Sequence, residues 1–125
     1  KEVINVARCD QKIAHCLTEL GDAEGALISA QKSLDVFVTA HDHRRETYSS
    51  FELGKAQIAS AQFEEALMTL ENVLENVTES EFKDFEFIID IERKIALTLR
   101  KLDREDEAIE IQRRLDAVVE VIDED

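Results

Sequence analysis

The chain has 125 residues, of which 44% are apolar and 35% charged, and its formal net charge is −14. This apolar fraction suffices for one domain with its own core and argues against global disorder. The negative charge argues against nucleic acid or an anionic membrane as a partner, because phosphate groups would be repelled at long range.

Apolar residues recur at helical spacing along the whole chain. The absence of Pro and the presence of only three Gly also favour helix throughout. We therefore predict an all-α fold. In chain order, the predicted helices are residues 2–20, 23–40, 45–60, 63–77, 82–102 and 105–122.

Three of these helices carry notable apolar faces. The start of the fifth helix is unusually apolar. We expect a flank of exposed apolar residues there and at the chain end, formed by Phe82, Phe85, Ile89, Val118, Val119 and Ile122. The stripe of the first helix predicted to face the interior comprises Val3, Val6, Ala7, Ile13, Ala14 and Leu17. The corresponding stripe of the last helix comprises Ala108, Ile111, Leu115, Val118, Val119 and Ile122.

The connections between the predicted helices are short and polar. Gly21 suits a left-handed helix end, and Asp22 suits the cap of the next helix. Residues 41–45 form a polar turn, and Ser80, in a loop spanning residues 78–83, is predicted to cap the fifth helix.

The two cysteines indicate a reducing compartment. Cys9 and Cys16 are seven residues apart on one predicted helix, so about 10 Å separates them, too far for a disulfide. We predict that both are reduced, small, buried residues of an intracellular protein. No apolar run approaches the ~18 residues of a membrane span, and no signal peptide is visible.

A repeat of 40 to 42 residues organises the chain. When it is aligned on three alanines, small residues recur at two columns and branched apolar residues surround them. The columns are Ala26/Ala66/Ala108, Ala14/Gly54/Ala96, Ile13/Leu53/Ile95 and Leu27/Leu67/Ile109. Small residues at fixed offsets on paired helices predict helical hairpins whose backbones approach closely, three times over.

This pattern resembles the tetratricopeptide repeat (TPR). The residues that carry the resemblance are Ile13-Ala14, Leu20-Gly21-Asp22, Ala26-Leu27, Ala30, Leu53-Gly54, Phe63, Ala66-Leu67, Ile95-Ala96, Leu99, Leu102 and Ala108-Ile109. The period exceeds the usual 34 residues, as in LGN/Pins-type polarity adaptors, kinesin light chain and Tonsoku-like proteins. The loop proline of the family is absent, and Ala23 and Glu105 replace the aromatic residue found as Phe63.

The resemblance implies an all-α superhelical array of three antiparallel helical hairpins. We expect a single domain over residues 1–125, with repeats at 2–40, 44–77 and 82–122, belonging to a longer protein. It also implies a non-catalytic scaffold that holds a partner peptide or helix in the concave groove lined by the first helix of each repeat. The first helices are nearly neutral, whereas the rest of the chain is strongly acidic.

Repeat alignment predicts which side chains line this groove. They are Arg8, Gln11, His15, Tyr48, Phe51, Lys55, Arg93, Leu97, Arg100 and Lys101. Their cations fit a protein or peptide partner with acidic side chains or a terminal carboxylate. The aromatic residues fit an apolar side chain of that partner.

Two alternatives use other surfaces. Acidic residues from Glu64 to Asp84, together with the acidic end at residues 123–125, suit a basic partner such as a histone, as in Tonsoku-like proteins. The apolar flank at Phe85 and Val118 suits an end-cap of a longer solenoid, or a homo-oligomer formed through the terminal helices. We predict no enzyme activity, cofactor or metal. His41, Asp42 and His43 are interpreted as polar turn residues.

Overall fold

The computed structural model describes residues 2–81 and 84–123, except the side chains of residues 119, 120, 122 and 123. Over these residues the chain is all-α and contains no strand. The six helices are α1 (Glu2–Leu20), α2 (Ala23–Thr39), α3 (His43–Ala59), α4 (Phe63–Glu79), α5 (Phe85–Lys101) and α6 (Glu105–Asp123). The predicted fold class and the number of helices are confirmed. No helix within the described ranges is long and apolar enough to cross a membrane.

The helices form a two-layer array. Each helix packs against the next helix in the chain, and α3 also contacts α1 and α5. No such contact joins α2 to α4, or α4 to α6, within the described part of the chain. Helices α1, α3 and α5 therefore form one layer whose successive members touch, and we call the surface of this layer the concave face.

The fifth helix begins later than predicted. It starts at Phe85, because the carboxylate of Asp84 accepts a hydrogen bond from the backbone N–H of Phe87 at 3.1 Å. The prediction that Ser80 caps this helix is wrong, since Ser80 instead ends α4 in an extended conformation. Phe82 and Lys83, predicted to lie at this junction, are outside the described residues.

The third helix begins earlier than predicted, at His43. The Asp42 carboxylate accepts a hydrogen bond from the N–H of Arg45 at 3.2 Å and pairs with its guanidinium at 2.8 Å. His43 then lies 3.2 Å from Glu46, which is also in the first turn. In the polar turn at residues 41–43, Asp42 therefore caps α3 and His43 is its first residue.

Most connections share one geometry. At the ends of α1, α2, α3 and α5, a residue with positive φ follows the helix, and the next N–H reaches back to a carbonyl of the last turn. The positive-φ residues are Gly21, His41, Ala61 and Asp103. Helices of 17 residues joined by three-residue connections place the starts of successive helices 20 residues apart, as for α2, α3 and α4. The longer link between α4 and α5 lengthens the period from 40 to 42.

The positive-φ position that follows a helix favours glycine, as Gly21 shows after α1. Ala61 adopts a φ of 61° there, a conformation that disfavours any side chain. Ala61→Gly is therefore expected to raise the free energy of unfolding by about 1 kcal/mol. Urea denaturation checks this, with Ala59→Gly at the last residue of α3, where φ is not positive, as the control that should lower stability. A loss of stability in Ala61→Gly would contradict the assignment.

The small-residue columns lie where paired helices cross. Ala14, Gly54 and Ala96 are buried, as are Ala26, Ala66 and Ala108, which are 0% exposed. A Cβ added at Gly54 would lie 2.8 Å from Cδ2 of Leu70, closer than real contacts allow. Gly54 therefore meets the Leu70 side chain of α4 and not the small Ala66, so this contact is tight for a different reason than the predicted pairing of small residues.

The residues at this contact differ between the hairpins. The positions of Gly54 and Leu70 are occupied in the first hairpin by Ala14 and Ala30. A glycine opposite a leucine thus stands where the first hairpin has two alanines, and the large side chain on α4 requires the smallest residue on α3. Leu70 is 0% exposed, so its side chain has no free space into which to move.

We expect Gly54→Ala to lower stability by about 1 kcal/mol, because overpacking outweighs the gain in helix propensity. Leu70→Ala alone should cost about 3 kcal/mol. In the Leu70→Ala background, Gly54→Ala should instead stabilise by about 1 kcal/mol, since the pair then matches the first hairpin. A double-mutant cycle by urea denaturation measures this coupling, and simple additivity would contradict the close contact.

The core is concentrated around α3, α4 and α5. Its largest fully buried side chains there are Leu70, Val73 and Ile91. The predicted face of α6 is only partly confirmed: Ala108 and Leu115 are buried, whereas Val118 is 45% exposed. The side chains at 119 and 122 lie outside the described ones.

The predicted face of α1 is largely wrong. Only Ala7 and Ala14 are buried, whereas Val3, Val6 and Ile13 are 63%, 59% and 46% exposed. The two cysteines are free, but both are exposed rather than buried. The physical reason is that α1 contacts only α2 and α3, so its opposite side has no neighbour within the described chain.

Candidate partner-binding face

The concave face is formed by equivalent positions of α1, α3 and α5. Repeat alignment relates Arg8 to Tyr48 and Asp90, Gln11 to Phe51 and Arg93, and His15 to Lys55 and Leu97. The α3 members are buried or partly buried, because α3 has neighbours on both sides. On the flanking helices, Arg8, His15, Asp90 and Arg93 are exposed, and Gln11 and Leu97 are half-buried.

Aromatic rings form the floor of this face. The rings of Tyr48 and Phe87 stack at 4.6 Å, and Phe51 meets Phe87 edge to face at 5.1 Å. Phe51 is 8% exposed and belongs to the core cluster, so it supports the surface from below. Tyr48 is partly exposed and presents an aromatic side chain to the face.

Lys55 is held in a local network. Its Nζ lies 2.9 Å from Glu52 Oε1, 3.1 Å from His15 Nδ1 and 4.9 Å from the centre of the Phe51 ring. The side chains of Lys55 and Glu52 are 12% and 13% exposed. Glu52 therefore neutralises Lys55, and this cation is poorly placed to meet a partner.

The second oxygen of Glu52 is less well satisfied. Oε2 is buried and has no hydrogen-bond partner in the described structure, although His15 Nδ1 lies 3.6 Å away. The His15 side chain is 52% exposed and ties α1 to α3 through this network. Removal of Lys55 would leave a nearly buried carboxylate without its close cation.

Other cations of α1, α3 and α5 are exposed and free of ion pairs. Arg8, Arg44, Arg93 and Lys101 are exposed, and none has an ion-pair partner among the residues described. The guanidinium of Arg100 lies 3.5 Å from the Glu105 carboxylate, which partly neutralises its charge. Sequence reasoning did not include Arg44 among the groove residues, although repeat alignment, which equates it with Ile4 and Glu86, points to it.

Two clefts flank Arg44 and Tyr48. The larger, of about 1060 Å³, lies where the starts of α3 and α5 meet the end of α4, and Phe85 and Phe87 also line it. The smaller, of about 490 Å³, lies between α1 and α3 and includes Gln11. Arg44 and Tyr48 line both clefts and form the ridge between them. This end of the face therefore joins a cation to an aromatic side chain.

The second layer carries the opposite charge. Helix α4 has no Lys or Arg, and its glutamates are all exposed; they are Glu64, Glu65, Glu71, Glu75 and Glu79. At the start of α6, Arg104 donates two hydrogen bonds to the Glu107 carboxylate. These hydrogen bonds lower the pKa of Glu107 and raise that of Arg104.

Lys55→Ala is expected to lower the free energy of unfolding by about 1–3 kcal/mol, because Glu52 loses its cation in a nearly buried site. Lys12→Ala, at an exposed position of α1, should change it by less than about 0.5 kcal/mol. Glu52→Gln should recover part of the loss in the Lys55→Ala background. Thermal and urea denaturation measure these differences, and equal effects of the two lysine variants would contradict the network.

Comparison with known proteins identifies the architecture. No family model matches the chain, and no curated protein sequence matches it. The fold is similar to the crystal structure of the TPR domain of Arabidopsis FLU, with a TM-score of 0.79 and 16% sequence identity. The match covers 94% of this chain and 97% of that domain. Six helices paired as three hairpins, with small residues at each crossing, therefore give this chain the fold of a TPR domain.

Proposed function

We propose that this protein is a non-catalytic interaction scaffold whose concave face binds a segment of a partner protein that carries acidic side chains or a terminal carboxylate. One observation carries the proposal: the exposed cations Arg8, Arg44, Arg93 and Lys101 have no ion-pair partner among the described residues. The likeness to a TPR domain supports a protein-binding scaffold in general. We place the protein inside the cell, and the proposed activity needs no cofactor.

The charge distribution supports an anionic partner. The whole chain carries −14, yet Arg8, Arg44 and Arg93 of the concave layer form no ion pair with a described residue. An approaching carboxylate therefore gains hydrogen bonds without first breaking an internal ion pair. The larger cleft beside Arg44 is also lined by carboxylates, namely those of Glu46, Glu79, Asp84 and Glu86. Arg93 and Arg44 are the strongest candidates, since Lys55 is already neutralised by Glu52.

Exposed aromatic surface would make the second contribution to binding of the partner. Tyr48 stacks on Phe87 beside Arg44, and the larger cleft opens next to them. Aromatic and arginine side chains together dominate the energetics of many interfaces. We expect an apolar side chain of the partner in this cleft and a carboxylate on Arg44 or Arg93. Arg8, Gln11 and His15 would extend contact along α1, and Leu97, Arg100 and Lys101 along α5.

The test is selection of peptides from a random displayed library with the intact domain. Selected sequences should be enriched in Asp and Glu. The double variant Arg44→Glu/Arg93→Glu should weaken their binding at least 10-fold, as measured by fluorescence polarisation. Raising the salt concentration should also weaken binding, because the contacts are ionic.

A matched control is available on α6. Arg113→Glu/Arg114→Glu makes the same charge change at exposed positions of the other layer and should leave affinity within 2-fold. Circular dichroism should show equal helicity in all variants. Equal loss of binding in both double variants would show that binding depends only on the net charge of the chain, and would overturn the concave site.

A second candidate function uses the acidic layer. Five exposed glutamates on α4, with no basic residue on that helix, suit a basic partner such as a histone. The same selection separates the two candidates. Enrichment of Lys and Arg, with binding unaffected by Arg44→Glu/Arg93→Glu, would favour the α4 surface and contradict the concave one.

A further inference from the structure

An internal ion pair lies on the middle helix of the concave face. The Nζ atom of Lys55 lies 2.9 Å from Oε1 of Glu52, and both residues belong to α3. The two residues are three positions apart, so one turn of the same helix brings them together without any partner. The charge of Lys55 is therefore already balanced before a partner segment arrives.

Neighbouring side chains hold this pair in place. Nζ of Lys55 also lies 3.1 Å from Nδ1 of His15 on α1 and 4.9 Å from the centre of the Phe51 ring. The side chains of Lys55 and Glu52 are only 12% and 13% exposed, so water and salt screen their attraction less than they screen a surface pair. A carboxylate of the partner could bind Lys55 only after this pair had been broken.

Glu52 has little to replace the lysine. Its Oε2 atom is buried and accepts no hydrogen bond from any residue of the described chain, and Nδ1 of His15 lies 3.6 Å from it. A carboxylate separated from its cation in such a site is left buried and uncompensated. A second carboxylate beside Glu52 would add repulsion between like charges, which is one way in which a binding site rejects an unsuitable partner.

Lys55 is the only Lys or Arg in its row of the concave face. Repeat alignment places His15 of α1 and Leu97 of α5 at the positions equivalent to Lys55. The side chain of His15 is 52% exposed, and Leu97 is half-buried. We call His15, Lys55 and Leu97 the central row. It presents an imidazole and an aliphatic side chain on either side of a neutralised lysine.

Unpaired cations lie outside the central row. Arg93 precedes Leu97 by four residues and Arg44 precedes Lys55 by eleven, so they lie about 6 and 16 Å toward the starts of their helices. Lys101 follows Leu97 by four residues, about 6 Å toward the helix end. All three cations are exposed, and none forms an ion pair with a residue that the structure describes. The face therefore offers free Lys and Arg side chains on both sides of the central row.

We propose that Glu52 is a specificity-determining residue of the concave face. Because it holds Lys55 neutral, it reserves the central row for an uncharged side chain of the partner. The carboxylates of the partner must then lie on either side of that row, where Arg44, Arg93 and Lys101 are free. The preferred segment has an uncharged residue between acidic ones and not a continuous acidic run. This inference rests on the function proposed above, because it concerns the partner bound at the same face.

The unaltered protein gives the first measurement. Peptides selected from the random displayed library are scanned by replacing each uncharged residue with Asp in turn, and fluorescence polarisation measures the affinity. We expect a position flanked by acidic residues at which Asp weakens binding about 10-fold or more, because the new carboxylate meets Glu52 and finds no free cation.

The variant Glu52→Gln assigns this position to the central row. Gln keeps the size of the side chain but leaves Lys55 free to bind a carboxylate. Asp at the scanned position should then weaken binding by less than about 3-fold. Glu52→Ala, which introduces no new polar group, should give the same relief and serves as a second variant. Circular dichroism should show that both retain the helicity of the unaltered chain.

A matched control is available on α2. Glu24→Gln makes the same change in net charge at an exposed position of the other layer, and the loss caused by Asp should remain about 10-fold in that variant. Relief in Glu24→Gln equal to that in Glu52→Gln would show an effect of net charge alone, and would overturn the assigned role of Glu52.

The results separate this inference from the proposed function. Acidic peptides that depend on Arg44 and Arg93, but whose Asp variants are not rescued by Glu52→Gln or Glu52→Ala, would leave the proposed function standing and overturn the role of Glu52. A continuous acidic run in the selected peptides would have the same consequence. Selected peptides without acidic residues would overturn both proposals.

Discussion

The structure depends on close contact between helices at positions that carry small side chains. At the crossing in the central hairpin, Gly54 leaves so little space that an added Cβ would reach within 2.8 Å of Leu70. The equivalent positions are Ala14 and Ala30 in the first hairpin, and Ala96 and Gln112 in the third. In an array where each helix touches only near neighbours in the chain, stability is a sum of such local contacts. Each crossing therefore fixes the geometry of its own hairpin.

The same architecture decides which residues are free to bind. The central helix of the concave layer has neighbours on every side but one, so Phe51 and Lys55 are used in internal contacts. The flanking helices keep their charged side chains exposed, and the starts of α3 and α5 bring Arg44 beside the stacked ring of Tyr48. Packing thus places Arg44 beside an aromatic floor, while α4 carries five exposed glutamates on the other layer.

The two ends of the array differ in polarity. Helix α6 places Gln112 and Asp116 at positions that are apolar in the other hairpins, whereas α1 presents Ile13 and Leu20 openly. The positions of α3 and α5 that are equivalent to Ile13 and Leu20 are buried or half-buried, so the same helical spacing is covered there and exposed on α1.

The amino-acid sequence alone determined the helices, their pairing and the repeat period, because these depend on local spacing and turn chemistry. The burial of the small residues Ala14, Gly54 and Ala96 could also be predicted from the sequence, because the same pattern occurs in three copies. The tertiary structure alone decided which side of an amphipathic helix is covered. Apolar spacing looks identical whether or not a neighbour is present, so Val6 and Cys9 were assigned to the interior although α1 has no helix on that side. It also decided that Lys55 is neutralised, because its partners His15 and Glu52 meet only when α1 and α3 lie side by side.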